Sequence, residues 1–478
     1  MSGGILPRLR RIVVLWVLLA GVVSPLGLRA QDTLSFARYA RQVEAYHPVA
    51  QQARLVSAQA RAAMQEAWGA FDPKVSLSMA QKAYKGTPYY SYVDASLKVP
   101  TPLGADLKLA FERATGSRAA TDRATPAAGL LSLGLSLPLG QRIITDERRT
   151  GLSIARAQRQ IGDAEQQGMI NKLLLDAAKA FGNWYGAARR LEIANEGVTL
   201  AAFRFEAVRL RVQNGESAPM DTLEASLEVQ RRTVAMIEAE TESRAMRFVA
   251  ESFLWDARGS AVELPTEARP VLEGLERTPV DTMRLASWLE SVAQRHPELR
   301  KADGKLQAAQ AERLFAKQAI IPFAEASLAT IADRAQSGLL TDSDRWRDNY
   351  KAGLTVESSL LLLKERGKAT RADQKVAFAQ LDRDRLRRDL AYSVRIALND
   401  VVLLERLLLA QRTNVRGATA LRDAEQARFI NGESTLLLVN LRERLVLDEA
   451  IKLASLEGKL AAARAALVVA VGDGSLVP

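Results

Sequence analysis

The chain of 478 residues contains no cysteine at all. That excludes disulfides, thiolate metal sites and a lipid anchor attached through cysteine. Histidine is nearly absent as well: His47 and His296 are the only two, and each is followed by proline. They sit in separate halves, with no carboxylate cluster or nucleophile beside them, so neither metal binding nor acid–base catalysis is expected of them. The chain reads as a non-enzyme without cofactor or metal. Aromatic residues make up only 6% of the sequence. Trp68, Trp184, Trp288 and Trp346 are read as packing or interface residues, and Trp346 with Tyr350 as part of an aromatic girdle. Basic blocks are missing too. The 66 Lys and Arg exceed the 55 Asp and Glu, but the excess is spread along solvated faces without interleaved aromatics, which argues against nucleic-acid binding.

What the sequence does have is alanine, leucine, arginine, glutamate and glutamine, which dominate residues 141–255 and 364–471. This is the composition of long packed helices rather than of a thick core. The start has the layout of a secretion signal over residues 1–30: Arg8, Arg10 and Arg11, an apolar run from Ile12 to Val23, then Ser24-Pro25 and cleavage after Ala30.

The two His-Pro pairs mark a duplication. His47-Pro48 and His296-Pro297 are 249 residues apart, and so are Pro73 and Pro322. Asn214-Gly215-Glu216-Ser217 reappears as Asn431-Gly432-Glu433-Ser434. A repeat of this size, built on helices longer than a globular domain needs, points to an elongated assembly of two similar halves. The expected division is a first repeat over 31–255, a linker over 256–281 rich in proline and glycine, a second repeat over 282–472 and a tail over 473–478.

Within the first repeat, residues 34–70 read as helix and Pro73 stops it. The period then changes to two. Apolar residues alternate with polar ones at 74–80, 93–99, 107–111 and 131–139, as in strands with one apolar face, and Thr101-Pro102-Leu103-Gly104 is a turn. The second repeat carries a weak strand after Pro322 to about Ile331, a polar loop through Asp342 to Asp348, and a clearer strand from Tyr350 to Glu357. From the proline to Asn-Gly-Glu-Ser is 141 residues in the first half and 109 in the second. The difference is about one β-hairpin, placed within residues 84–127.

Each set of strands feeds a long helix, 141–212 and 364–430, spanning roughly 100 Å at 1.5 Å per residue. Such a helix must be packed along its length. Asn-Gly reverses the chain, and a helix returns over 219–255 and 435–471, so each Asn-Gly-Glu-Ser marks the tip of a helical hairpin. One-faced strands in an exported chain without disulfides suit an outer-membrane barrel, closed so that no edge meets lipid. Four or six strands per chain cannot close one alone, so two or more chains, and three rather than two, must share it. The fold class expected is mainly α with a membrane β-barrel part.

The ordered set of helix, proline, strands, long helix and glycine tip, occurring twice from Asp32 to about Gly472, resembles the TolC-like outer membrane efflux proteins, the outer membrane factors. The resemblance implies a homotrimer in which duplicated helical hairpins form an α-barrel tunnel below a shared antiparallel β-barrel. It implies contact with outer-membrane lipid, docking onto a periplasmic adaptor (membrane fusion) protein and service to an inner-membrane pump, in efflux or type I secretion from a Gram-negative bacterium. Drugs, metals, small metabolites or polypeptides would be the cargo. The competing reading is a soluble periplasmic coiled-coil scaffold or adaptor, which explains the helices but not the alternating segments.

In relatives the tips close an iris, often narrowed by acidic side chains after the tip glycine. Here Asp221, Glu224 and Glu228 follow Gly215 at helical spacing, which would stack acidic rings in the duct and favour cations. Their alternative is an outer face paired with Arg204, Arg209 or Arg211. The second half departs from the family pattern: Leu438 and Leu441 stand where the best-known relatives have aspartates. With Leu445 they form either an apolar constriction or, after a one-residue slip into register with Met220, Leu223 and Leu227, hairpin packing, the preferred reading. The eight tip residues, Asn214, Gly215, Glu216 and Ser217 with Asn431, Gly432, Glu433 and Ser434, are the expected adaptor-docking sites.

Overall fold

The structure is a computed structural model describing residues 33–116, 120–273, 280–333 and 348–472. The expected signal segment with its cleavage after Ala30, Trp346, most of the 342–348 loop and the 473–478 tail lie outside the described residues.

In each half the His-Pro pair separates a short helix from a longer one. In the first, α1 (Phe36–Tyr46) ends at His47 and α2 (Pro48–Trp68) begins at the proline. The break has a specific cause: proline is preorganised for the first helical position and lacks the N–H that would be orphaned there, while His47 is extended (φ −60°, ψ 136°) and its Nδ1 accepts from Val49 N at 3.1 Å. α2 stops at Trp68, and a 3₁₀ turn over Gly69–Phe71 precedes Pro73. The proline therefore opens the strand instead of ending the helix.

Four strands follow: β2 (Lys74–Tyr84), β3 (Thr87–Pro100), β4 (Asp106–Thr115) and β5 (Leu130–Pro138), after a short β1 (Thr33–Ser35) at the start of the described chain. α3 (Glu147–Gln213) and α4 (Pro219–Glu251) make the first helical hairpin. The long helix starts six residues later than the composition implied, because Asp146 caps it: its carboxylate accepts from Arg149 N at 2.8 Å.

The linker is less irregular than expected. Its β6 (Arg269–Val271) pairs in parallel with β1, and Leu272 belongs to a core with Phe36, Tyr39, Phe181 and Trp184. Among the described residues this is the largest buried hydrophobic cluster. Tyr39 donates to Ala250 O at 3.0 Å within it. The second half repeats the order with α5 (Leu285–Arg295), α6 (Pro297–Gln318), β7 (Phe323–Asp333), β8 (Tyr350–Glu357), α7 (Leu363–Ile430) and α8 (Leu436–Val471).

Four helices stand abreast at each level. Next to the strands the order is α2–α3–α6–α7, and towards the tips it is α4–α3–α8–α7. Alanines and glycines line these contacts. At one crossing a Cβ on Gly182 would stand 2.5 Å from Gly458 O, and one on Gly458 would come still closer to Gly182 O. This pair of glycines lets α3 of the first repeat and α8 of the second touch backbone to backbone.

Candidate pore-lining and docking sites

The six longer strands form one antiparallel sheet in the order β2-β3-β4-β5-β7-β8. Because side chains alternate, register decides whether six one-faced strands make one apolar surface, and here they do. Leu77 faces Ala95, Ala95 faces Phe111, Phe111 faces Leu131 and Leu131 faces Ala332. Val75, Leu77 and Met79 on β2, and Leu354 and Val356 on β8, are exposed, which would be costly in water and is natural against lipid.

The other face is polar and small: Ser76 faces Ser96 with hydroxyls 2.7 Å apart, and Ser136 faces Ser327. One of its rows joins Lys74, Lys98, Lys108, Gly134, Ala329 and Lys351 across the sheet. Like charges opposite one another cost stability; Lys98 is relieved by Asp106 at 2.9 Å. Lys351 reaches Glu112 at 3.8 Å across two intervening strands, which curls the polar face inwards. Asp106 also takes Arg148 at 2.8 Å, tying the sheet to the first turn of α3.

At the opposite end the two tips are closed by identical backbone bonds. Glu216 N donates to Arg211 O and Glu433 N to Arg428 O, both at 2.8 Å, while Gly215 N and Gly432 N donate to Val212 O and Phe429 O, both at 3.1 Å. Both glycines have φ of +78°. This is the Schellman pattern, in which the left-handed position is the glycine's alone. The asparagines are right-handed helix caps, Asn214 at φ −81° and Asn431 at φ −78°. The glutamates bend back on the helix that they cap, Glu216 to Arg211 at 3.8 Å and Glu433 to Arg428 at 4.0 Å. Ser434 bonds Glu425 at 2.5 Å. Asn214, Gly215, Glu216, Asn431, Gly432 and Glu433 are exposed and both serines half-buried.

Behind the tips, the acidic residues after Gly215 do face one side of α4, but that side packs against the rest of the chain. Glu228 is 5% exposed and cannot line a duct. It bonds Arg232 at 3.0 Å and Arg444 at 2.9 Å. Arg232 also holds Glu443 at 2.8 Å and Gly197 O at 3.0 Å, and Glu443 pairs with Arg204. Five alternating charges thus join α3, α4 and α8. Burial pushes the Glu228 carboxyl up, yet the hydrogen bonds and charges of Arg232 and Arg444 outweigh it and hold the group below its ordinary value. Asp221 and Glu224 are half-buried on the same side. Glu224 Oε1 is enclosed with no hydrogen-bond partner among the described residues.

The leucine stripe also differs from expectation. Leu438, Leu441 and Leu445 are 38, 51 and 38% exposed, while Leu436, Val439 and Glu443 make the packed face. Met220, Leu223 and Leu227 are exposed on α4 in the same way. The one-residue offset does place the two stripes at equivalent positions, but both point out of the chain, so packing within the hairpin is not their role.

The histidines have a structural function that spacing alone concealed. Like His47, His296 is an N-cap, its Nδ1 accepting from Glu298 N at 3.2 Å. Burial pushes both imidazoles down from their ordinary value, which keeps that nitrogen free to accept. Trp184 is buried in the core around Tyr39, Trp288 packs beside Val292, and Trp68 is exposed at the end of α2. Tyr350 is exposed at the start of β8.

Residues 288–473 match the family of outer membrane efflux proteins. The second repeat thus matches that family. Among solved structures, the outer membrane protein VceC of Vibrio cholerae has a TM-score of 0.61 at 13% identity, over 91% of this chain and 96% of that one. The open-state MtrE outer membrane channel of Neisseria gonorrhoeae gives 0.61 at 15%, over 92% and 89%. The CmeC outer membrane channel of Campylobacter jejuni gives 0.60 at 11%, over 92% and 86%. These likenesses establish the fold across both repeats. No curated protein matches the sequence significantly.

Proposed function

We propose that the protein is the exit duct of a tripartite export system, a homotrimer whose strands close a barrel in the outer membrane and whose helices extend that tube through the periplasm. One observation carries this reading: an apolar face continuous over six strands is joined end-on to helices of 67 and 68 residues that end in two equivalent exposed turns. A soluble scaffold would have no use for such a face, and no described helix is long and apolar enough to cross a membrane. The family match of the second repeat supports transport rather than catalysis.

The tips are the adaptor-facing end. Six of their eight residues are exposed, and their backbone is preorganised, so a helical hairpin from a partner could meet them without a folding cost. At the aperture, Asp221 and Glu224 remain the acidic candidates and Leu438 and Leu441 the apolar ones. A neutralised pair Asp221→Ala with Glu224→Ala should reduce cation preference of the purified assembly in a planar bilayer; unchanged selectivity removes the acidic ring from the mechanism. Fractionation tests the duct itself. It should be recovered with outer membranes as a detergent-requiring trimer, and recovery in the soluble periplasmic fraction would overturn the reading.

A further inference from the structure

We infer that all six strands of each copy enter the shared barrel, so that a trimer closes it with eighteen strands, and that the seam joins β2 of one copy to β8 of the next. The inference rests on the exit-duct reading and adds to it the strand count and the pairing edge.

Three observations carry it. First, β2 and β8 are the two open edges of the sheet, and every residue of both is exposed. An edge left open in lipid leaves a row of N–H and C=O groups unpaired at several kcal/mol each, so both edges need a partner. Second, the edges match. Every ladder is antiparallel and the strand number is even, so β2 runs away from the helices and β8 runs towards them. Set side by side in two copies, they pair antiparallel, and Val75, Leu77 and Met79 continue the same outward face as Leu354 and Val356.

Third, the circumference fits. A strand tilted by about 40° occupies roughly 6 Å of wall, so eighteen strands make roughly 110 Å and twelve only about 75 Å. Four helices abreast in each copy give twelve in a trimer, and at about 9 Å between axes they also make roughly 110 Å. With eighteen strands the barrel continues the helical tube at its own width. With twelve, the β2–β3 hairpin would be stripped from β4, losing the ten residue pairs of antiparallel ladder that join β3 to β4.

Because the chain has no cysteine, pairs of engineered thiols report the seam without background. Ser76→Cys or Ser78→Cys on β2 would be combined with Lys351→Cys or Thr355→Cys on β8, all on the polar face, and bridged by a short bismaleimide in isolated outer membranes. The expected result is covalent dimer and trimer on a denaturing gel for one or more pairs. The same β8 variants combined with Ala110→Cys on β4 should give none. Bridging of β4 to β8 would overturn the proposal, since it requires the β2–β3 hairpin to lie outside a twelve-stranded wall. So would the lack of any bridge in an assembled outer-membrane trimer. Recovery of the unmodified chain in the soluble fraction would instead remove the duct reading, and this seam with it.

Discussion

The two tips share a backbone and differ in what stands behind it. Both end in the same two capping bonds, yet the position occupied by Val208 in the first hairpin holds Glu425 in the second, 217 residues on. Val208 is buried with Ala225 and Leu436, whereas Glu425 binds Ser434 and lies 3.8 Å from both Arg428 and Arg442. A turn is specified by one glycine and its neighbours' amides, so duplication preserves it cheaply. Side-chain layers are specified by whatever packs against them, and the two hairpins have different neighbours: α4 packs mainly on α3 and meets α8 at a few residues, while α8 lies between α3 and α7 along its length. The difference teaches that equivalence in this molecule holds at the level of backbone and fails at the level of chemistry.

The charged network gives the largest contrast. Glu443→Ala leaves the buried Arg232 and the half-buried Arg204 with too little opposing charge, and should cost about 3–5 kcal/mol. Glu228→Ala leaves Arg232 still held by Glu443 and frees the more exposed Arg444, so it should cost clearly less. Thermal unfolding of the purified assembly compares them, and equal losses would mean that the network acts as one unit rather than centring on the second repeat.

Next is the crossing of the repeats. Gly182→Ala or Gly458→Ala inserts a methyl against a backbone carbonyl, and the overpacking should lower stability by about 1–3 kcal/mol wherever the methyl originates. A marked inequality in melting temperature between the two variants would show that one helix yields and the other does not.

The tips should respond alike. Among the described residues nothing lies within 4 Å of a Cβ at Gly215 or Gly432, so alanine there meets the left-handed backbone cost of about 1–2 kcal/mol. Equal shifts in melting temperature would sustain the equivalence of the turns, and a loss of export confined to one variant would assign adaptor contact to that hairpin.

The smallest effect concerns pH. Each histidine cap has a folded pKa below its unfolded value near 6.5, so the unfolded chain binds the extra proton first. The contribution of the caps is therefore complete above about pH 6.5 and lost as pH falls through the folded values. His296 is the more enclosed, although Glu298 and the Val469 carbonyl partly offset its burial. Replacement by asparagine, which can cap without titrating, should flatten the stability profile between pH 7 and 5 more at His296 than at His47.

Much of the fold was legible in advance because it follows from periodicity. The change from period 3.6 to period 2 at Pro73 located the sheet, and the mismatch of 141 against 109 residues corresponds to four strands in the first half against two in the second. The aperture was less legible. Spacing put Asp221, Glu224 and Glu228 on one face of a helix, but a helix has two sides, and only the arrival of Arg232 and Arg444 showed that Glu228 faces inwards. The same ambiguity affected Leu438 and Leu441. The network could have been suspected from Glu228 and Arg232 at i,i+4 spacing, but Arg204 and Glu443 are 239 residues apart and carried no local signal.

By itself, then, the sequence determined what is local: the duplicated order of helix, strand and hairpin, the proline and histidine breaks, the glycine at each tip and the alternation that gives every strand one apolar face. Tertiary structure decided which faces meet. Register aligned six separate apolar faces into one wall, paired β1 with a linker strand, brought Gly182 against Gly458 and placed Glu443 between two arginines of the other repeat. Those choices depend on contacts between residues hundreds of positions apart, where the free energy lies in the complementarity of two surfaces and is not encoded in either one alone.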